Sequence, residues 1–290
     1  MKLSIVIPNW NGKKLLKENL PRVIKAGQRW AKTGWEIIVA DDASTDGSVV
    51  FLKKNFPQVK VVVQPKNQRF AANCNLGVKT AKGEIVVILN NDVSPELDFL
   101  TPLIRPFKNP LIFAVGCKEK DKRLGKIVSS GRGWGEFKRG FLVHWRAENQ
   151  DEKETLWASG GSMAVDRKKW LELGGMDPLF RPAYWEDIDL AWRARKRGWQ
   201  ILFEPRAVVN HHHETTNLVA FGQKQMKKFA YKNQFLFVWK NGDLKMIVAH
   251  LFWLPYHFLK AIMKKEGLFF RGFFLALKQL PELLRKRSRK

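Results

Sequence analysis

Three carboxylates fall within four residues in the stretch Tyr184-Trp185-Glu186-Asp187-Ile188-Asp189-Leu190. A helical pattern follows at once, with Ile188, Ala191, Trp192 and Arg195 on one face and Arg193, Lys196 and Arg197 off it. The acids therefore stand at a helix N-terminus, where the positive end of the helix dipole favours negative charge. Two readings follow. Acids in a first turn can simply start a helix. A carboxylate within reach of a substrate hydroxyl can also take its proton. Tyr184 and Trp185 beside it can stack on a ligand or serve as core aromatics.

Other clusters would supply what such a base lacks. Asn90-Asn91-Asp92 ends an apolar run. A carboxylate and amides there can hold a hard divalent cation through oxygen, and the cation in turn can hold two phosphates. Asp41-Asp42 ends another run, and a carboxylate there can accept a hydrogen bond from a base N–H. Both clusters are also good turn chemistry, since Asp-x-x-Ser-Thr-Asp-Gly makes an Asx-turn or a helix cap. His211-His212-His213 follows a late strand. Imidazole is a common metal ligand, although a lone His is more often a satisfied core or surface residue.

The elements that must position these groups alternate. Apolar runs at Leu3–Pro8, Glu36–Ala40, Val59–Gln64 and Glu84–Leu89 read as strands, with helices over Lys13–Ala26, Val49–Asn55 and Phe70–Thr80 between them. Continuous apolar strands in a βαβαβαβ order indicate a parallel sheet covered on both faces. Ligands bind at the carboxyl ends of strands in such sheets, and the clusters at Asn9–Gly12, Asp41–Ser48 and Asn90–Asp92 all lie there. Beyond Pro95 the pattern gives a helix over Leu97–Phe107 and a strand over Ile112–Cys117. Hairpins and loops are expected across 118–154, then a glycine turn into a strand at Ala158–Val165 and a helix over Lys168–Leu173. A late strand, Ile201–Phe203, is expected to close at Glu204-Pro205.

A chain of 290 residues suits one large α/β domain with an appendage. Its two cysteines, Cys74 and Cys117, have no CxxC partner, which fits a reducing compartment rather than a disulfide framework or zinc site. Met1-Lys2-Leu3 runs straight into a strand pattern, so no secretory signal is expected. The net charge is +25, and from Leu218 onward 16 Lys and Arg stand against three Asp and Glu. No RNP-type aromatic motif, zinc finger or helix-turn-helix pattern accompanies that charge, so no specific nucleic-acid partner is expected.

Taken together, Ile5-Val6-Ile7-Pro8-Asn9-Trp10-Asn11-Gly12, Val39-Ala40-Asp41-Asp42-Ala43-Ser44-Thr45-Asp46-Gly47-Ser48, Asn67-Gln68-Arg69-Phe70-Ala71-Ala72-Asn73-Cys74-Asn75-Leu76-Gly77, Leu89-Asn90-Asn91-Asp92-Val93, Gly160-Gly161-Ser162 and Trp185-Glu186-Asp187-Ile188-Asp189-Leu190 resemble the family 2 glycosyltransferases over about residues 1 to 240, with the flavour of the rhamnosyltransferase-like branch that builds bacterial cell-surface polysaccharide. The resemblance implies a GT-A fold, a Rossmann-like, mostly parallel sheet with helices on both faces, here followed by C-terminal amphipathic helices. It implies a nucleoside-diphosphate sugar donor, on UDP or dTDP, and a glycan or lipid-linked acceptor. Asp187 matches the catalytic base, with Glu186 orienting it or touching the acceptor. Asp41 and Asp42 would contact the base, and Pro8, Asn9, Asn11, Asn67, Phe70, Asn75, Asn91, Gly160 and Gly161 would line the donor site. Trp185 would meet the acceptor. Asp92 and His211, the latter at the end of Pro-x-Ala-x-Val-x-His, would coordinate Mn²⁺ or Mg²⁺. Asn90 departs from the family pattern, because it stands where the first Asp of a DxD motif would be. An inactive nucleotide- or glycan-binding relative is the alternative reading.

These features divide the chain into a catalytic domain, 1–240, and a tail, 241–290. Met246–Ala261 is apolar but broken by His250, Pro255, His257 and Lys260, short of the roughly 20 apolar residues of a spanning helix. Amphipathic helices with Lys and Arg beside Phe, Trp and Leu are instead expected to lie in an anionic membrane surface, or to pack on the catalytic domain with a solvated basic face. The expected location is cytoplasmic, peripheral on the inner face of the cell membrane.

Overall fold

A computed structural model describes residues 2–123, 126–211 and 216–287. In chain order the elements are β1 (Leu3–Asn9), α1 (Lys13–Trp30), β2 (Trp35–Asp41), α2 (Ser48–Asn55), β3 (Lys60–Val63), α3 (Arg69–Thr80), β4 (Ile85–Leu89), β5 (Val93–Pro95), α4 (Leu100–Ile104), β6 (Ile112–Arg123), β7 (Lys126–Ser130), β8 (Gly133–Lys138), β9 (Phe141–Arg146), β10 (Ser162–Asp166), α5 (Arg167–Glu172), α6 (Glu186–Lys196), β11 (Gln200–His211), α7 (Thr216–Asn241), α8 (Leu244–Met263), α9 (Gly267–Lys278) and α10 (Leu280–Arg287). The main sheet runs β3-β2-β1-β4-β10-β6-β11-β5.

The first four strands are mutually parallel, as their continuous apolar runs require. All seven residues of β1 and all five of β4 are buried. One layer of the core lies under α1 and α4, with Leu16, Leu20 and Leu103 against Ile5, Val39 and Val87. The opposite layer lies under α3, α5 and α6, with Val78, Trp170 and Leu190 around Val6, Ile38 and Val86. Gly77 lets α3 close on β1, since a Cβ there would sit 2.3 Å from Val6 Cγ1.

The sheet is mixed beyond β4. β10 enters antiparallel between β4 and β6, and β6 and β11 are parallel to each other. The 118–154 region forms the expected hairpins, in which β7 pairs with an extended β6 and β8 with β9. Two boundaries differ from the sequence pattern. The helix expected over Leu97–Phe107 is only the short α4 followed by a 3₁₀ turn at Arg105–Lys108, with Pro106 inside that turn. The late strand does not close at Pro205 but runs on to His211. The register shifts between Glu204 and Val208, and that irregularity absorbs the proline's missing N–H.

The four C-terminal helices share a third core with the β8–β9 hairpin and α6. Phe235, Leu236, Phe237 and Val238 of α7 are fully buried there with Phe141, Phe180, Trp185, Ile188, Phe269 and Leu283. His250, in the middle of the apolar α8, is buried too. Its Nε2 is 3.1 Å from Trp239 Nε1, which donates to it, and its Nδ1 is 2.8 Å from the Gly140 carbonyl. At 20 residues and a mean hydropathy of 1.3, α8 is long and apolar enough to cross a membrane by length and composition. Its inner face, however, packs on the protein through Ile247, His250, Leu254, Phe258 and Ala261.

Candidate active site

The carboxyl ends of β1, β2 and β4 open on a cleft of about 290 Å³. Of the residues expected there, Pro8, Asn9, Asp42, Asn67, Phe70, Asn91, Asp92, Gly160, Gly161, Glu186, Asp187 and His211 line it together. Asn11, Asp41, Asn75 and Trp185 do not. Each of these four has another contact. Asn11 Oδ1 accepts from Thr45 N at 2.8 Å. Asp41 accepts from Asn9 Nδ2 and from Ser44 N, both at 2.8 Å, and so makes the turn after β2. Asn75 brackets the backbone of Met176, donating to its carbonyl at 2.7 Å and accepting from its N–H at 3.0 Å. Trp185 is 5% exposed and packs against His144 and Phe237 in the third core, whereas Tyr184 is 45% exposed and lines the cleft.

At the carboxyl end of β2, Asp42 is already engaged. Its two oxygens accept from the N–H groups of Gln68 and Arg69, at 2.7 and 2.8 Å, and so hold the start of α3. Burial still lifts its pKa above the ordinary carboxylate range. The helix-cap chemistry visible in the sequence is thus present, but the cap is supplied by the neighbouring strand. Asn91 Nδ2 donates to Asn9 Oδ1 at 2.7 Å and ties the ends of β4 and β1 together.

The pairing of β5 with β11 sets His211 opposite Val93, next to Asp92. His211 Nε2 lies 3.2 Å from Asp92 Oδ1 and Nδ1 lies 3.3 Å from Glu119 Oε2. Glu119 Oε1 in turn accepts from Ser162 Oγ at 2.6 Å. Burial disfavours the imidazolium, but the carboxylates of Asp92 and Glu119 outweigh it and raise His211 to about 10. Burial raises Glu119 as well, but its contact with His211 and its hydrogen bond from the Ser162 hydroxyl outweigh that and lower it to about 2. Sequence reading missed Glu119. It sits in Lys118-Glu119-Lys120, which resembles a solvated charge run, and only its place on β6 opposite Val209, two residues before His211 on the same strand face, brings it inward. His212 and His213 lie outside the described residues.

The donor set suits a divalent cation. Asn90 Oδ1 is buried without a hydrogen bond beside Asp92 in the cleft lining, as an oxygen facing a cation would be. Among the described residues no group of three or more Asp, Glu, His or Cys side chains converges on one point. Two protein ligands suit an ion that takes the rest from water and substrate phosphates. Gly161 keeps the approach open, because a Cβ there would come within 2.6 Å of Asn90 Nδ2.

Opposite this cluster, Glu186 and Asp187 open α6. Burial pushes both carboxyls up, Glu186 to about 8 with the Asp187 charge adding to the effect. Asp187 is raised by burial against the opposing hydrogen bonds of two backbone amides. Its Oδ2 accepts from Gly160 N at 3.2 Å and its Oδ1 from Ile188 N at 2.9 Å. Both carboxyls are thus shifted toward the protonated form, and as close neighbours they titrate as a pair. Asp189, the third acid of that first turn, is engaged elsewhere. It is fully buried and takes Arg193, Lys240 and Asn241 at 2.7–2.8 Å. Trp10, Arg69, Asn73, Glu119, Ser159, Pro182 and Ala183 complete the cleft lining.

Comparison with known proteins places this geometry. A model of glycosyl transferase family 2 matches residues 4–172. An N-acetylglucosaminyl-diphospho-decaprenol L-rhamnosyltransferase of Mycobacterium tuberculosis is 25% identical over 206 residues, covering 61% of this chain and 66% of that protein. The chain spans 40% or less of the length of the curated relatives that it matches first. The fold is similar to that of GalNAc-T7 solved with UDP, GalNAc and Mn²⁺ (TM-score 0.66, 21% identity, 82% of this chain and 47% of that one). It is also similar to the mannosyltransferase PcManGT of Pyrobaculum calidifontis solved with GDP-Man and Mn²⁺ (TM-score 0.60, 17% identity, 96% of this chain and 84% of that one). The mixed sheet and its flanking helices are thus a GT-A fold, and the chain belongs to glycosyl transferase family 2.

Proposed function

We propose that the cleft transfers a sugar from a nucleoside-diphosphate donor to a hydroxyl of a glycan or lipid-linked acceptor, with inversion at the anomeric carbon, in the building of cell-surface polysaccharide. The observation that carries this reading is that one cleft is lined by the ionisable pair Glu186–Asp187, the Asp92–His211 cluster and the strand-end residues Pro8, Asn9, Asp42, Asn67 and Phe70. Asp187 accepts the proton of the acceptor hydroxyl as its oxygen attacks the anomeric carbon and the bond to the diphosphate breaks. A single base on the face opposite the leaving group gives inversion, and no covalent nucleophile is needed. Asp92 and His211, the latter after losing the proton that it carries between the two carboxylates, would hold Mn²⁺ or Mg²⁺, which would offset the charge of the leaving diphosphate. Glu186, whose burial favours the protonated form, would donate a hydrogen bond to the acceptor. Tyr184, rather than Trp185, offers an exposed ring to a sugar face. The relative named for a decaprenol-linked substrate and the neighbours solved with UDP or GDP-Man support a nucleotide donor and a lipid-linked acceptor for this chain.

The same reading extends to location. The outer face of α8 exposes Leu244, Val248, Leu251, Phe252, Leu259, Ile262 and Met263, and Phe274 of α9 is exposed as well. Lys245, Lys260, Lys264, Lys265 and Arg271 are exposed around them. An apolar face rimmed by cations suits an anionic membrane, here the inner face of the cell membrane, where a lipid-linked acceptor is presented.

The test is nucleoside-diphosphate release from a panel of UDP-, dTDP- and GDP-sugars with Mn²⁺, with Asp187→Asn in parallel. Release from one donor, cut about 10²–10⁴-fold in Asp187→Asn, is expected. Nucleotide-dependent thermal stabilisation with no release from any donor, with or without a lipid acceptor, would instead assign a binding-only relative.

A further inference from the structure

The backbone enters α6 through two consecutive left-handed residues, Tyr184 (φ 71°) and Trp185 (φ 78°), neither of them glycine. A residue with a Cβ is strained in that conformation, which persists only where the surroundings over-determine it. Those surroundings come from α7. The side-chain amide of Asn233, fully buried, donates toward three carbonyls of this one loop: Phe180 at 2.8 Å, Ala183 at 3.1 Å and Tyr184 at 2.9 Å. The preceding Lys232, also buried, donates to a fourth, that of Arg181. Two Lys-Asn pairs stand eight residues apart on α7, Lys232-Asn233 and Lys240-Asn241. That spacing keeps them on one helix face, about 12 Å apart. The second pair grips α6 itself. Lys240 Nζ bridges Asp189 Oδ1 and Asp177 Oδ2, both at 2.7 Å. Asn241 Nδ2 donates to Asp189 Oδ1 at 2.8 Å. Arg193 holds the other oxygen of Asp189 at 2.8 Å and donates onward to the carbonyls of Leu173 and Gly175.

None of Lys232, Asn233, Lys240 and Asn241 lines the cleft, and all four lie beyond the region that the family model matches. We propose that α7 is a two-point clamp whose Lys-Asn pairs are positioning residues. Asn233 fixes the loop that delivers Tyr184, Lys240 and Asn241 fix the first turn of α6, and together they set the direction of Glu186 and Asp187. The role assigned to that pair rests on the proposed function, but the clamp itself is a statement about local geometry. Burying a charged Lys and two carboxylates is justified only if every partner is present, so the network tolerates little rearrangement.

The test is Asn233→Ser, which keeps a small polar side chain and removes both amide donors. Three readouts are compared with wild type: hydrogen exchange of peptides spanning 180–190, thermal stabilisation by UDP, dTDP or GDP with Mn²⁺, and nucleoside-diphosphate release. Exchange in 180–187 is expected to quicken at least tenfold, and kcat to fall about 10²-fold, the scale of a 1 Å misplacement of a reacting group. Donor KM and nucleotide stabilisation are expected to stay within about twofold, because the nucleotide side of the cleft is untouched. A merely structural residue would lower Tm without splitting kcat from KM in this way. Unchanged exchange in 180–187 in folded protein overturns the clamp, as does unchanged kcat. If wild type releases no nucleotide from any donor, the exchange arm still decides, and quickened exchange then sustains the clamp while the enzymatic reading falls. Should Asn233→Ser yield no folded protein, Asn241→Ser, which removes one hydrogen bond to Asp189, carries the same readouts with a smaller expected effect.

Discussion

The pair at Glu186 and Asp187 shows how one residue's environment assigns its role. Both side chains are carboxylic acids at the same helix end, yet burial leaves Glu186 holding its proton up to about pH 8. The consequence for stability has a definite sign. Its folded pKa is raised above the unfolded value, so its contribution is present below about pH 4.5 and is lost as pH rises toward 8. Glu186→Gln removes the titration, so it should raise Tm relative to wild type more at pH 9 than at pH 5. A pH series of thermal melts checks this, and an equal difference at both values would mean that Glu186 is ionised in the fold. The acidic stretch and Asp92 were legible because carboxylates at strand and helix ends are unusual enough to read directly. The contrast between Tyr184 and Trp185 was not. Adjacent aromatics are indistinguishable until two left-handed backbone residues turn one ring into the cleft and the other into the core.

Elements were legible in proportion to how local their cause was. The alternating strands and helices from Leu3 to Leu89 follow from apolar runs broken by turn residues, and they stand close to where the pattern put them. β11 did not, because Pro205 reads locally as a strand end and only long-range pairing with β6 carries the strand past it. The C-terminal helices are the largest case. Phe235 meets the rings of Phe141, Trp239, His250, Phe269 and Phe273, so it ties α7, α8 and α9 to the β8–β9 hairpin. Phe235→Ala should therefore cost about 3–5 kcal/mol, read as a lower midpoint in urea. Because α6 shares that core, through Ile188, nucleotide release should decline at temperatures below the new global midpoint.

At the scale of the whole molecule, charge and apolar surface are segregated together. The helices after Leu218 carry most of the cation excess per residue and the exposed face of α8. The inner face of those helices is core, so deleting them would test folding as much as membrane binding. A cleaner measurement replaces Phe252 and Leu259 on the outer face by Glu and follows co-sedimentation with vesicles containing anionic lipid. Partition is expected to fall at least about tenfold with Tm unchanged, and unchanged partition would remove the membrane from the proposed function. Hydrophobic periodicity and turn chemistry act over a few residues, so the sheet-and-helix frame, the strand-end clusters and the helix that begins at Glu186 were legible in the chain. Tertiary packing is what sets Glu119 behind His211, draws Asp189 into an ionic network, and lets Asn233 of α7 hold the loop before α6. Each of those depends on partners 43 to 92 residues apart in the chain, and no local pattern in the sequence records which distant groups the packing brings within 3 Å or so of one another.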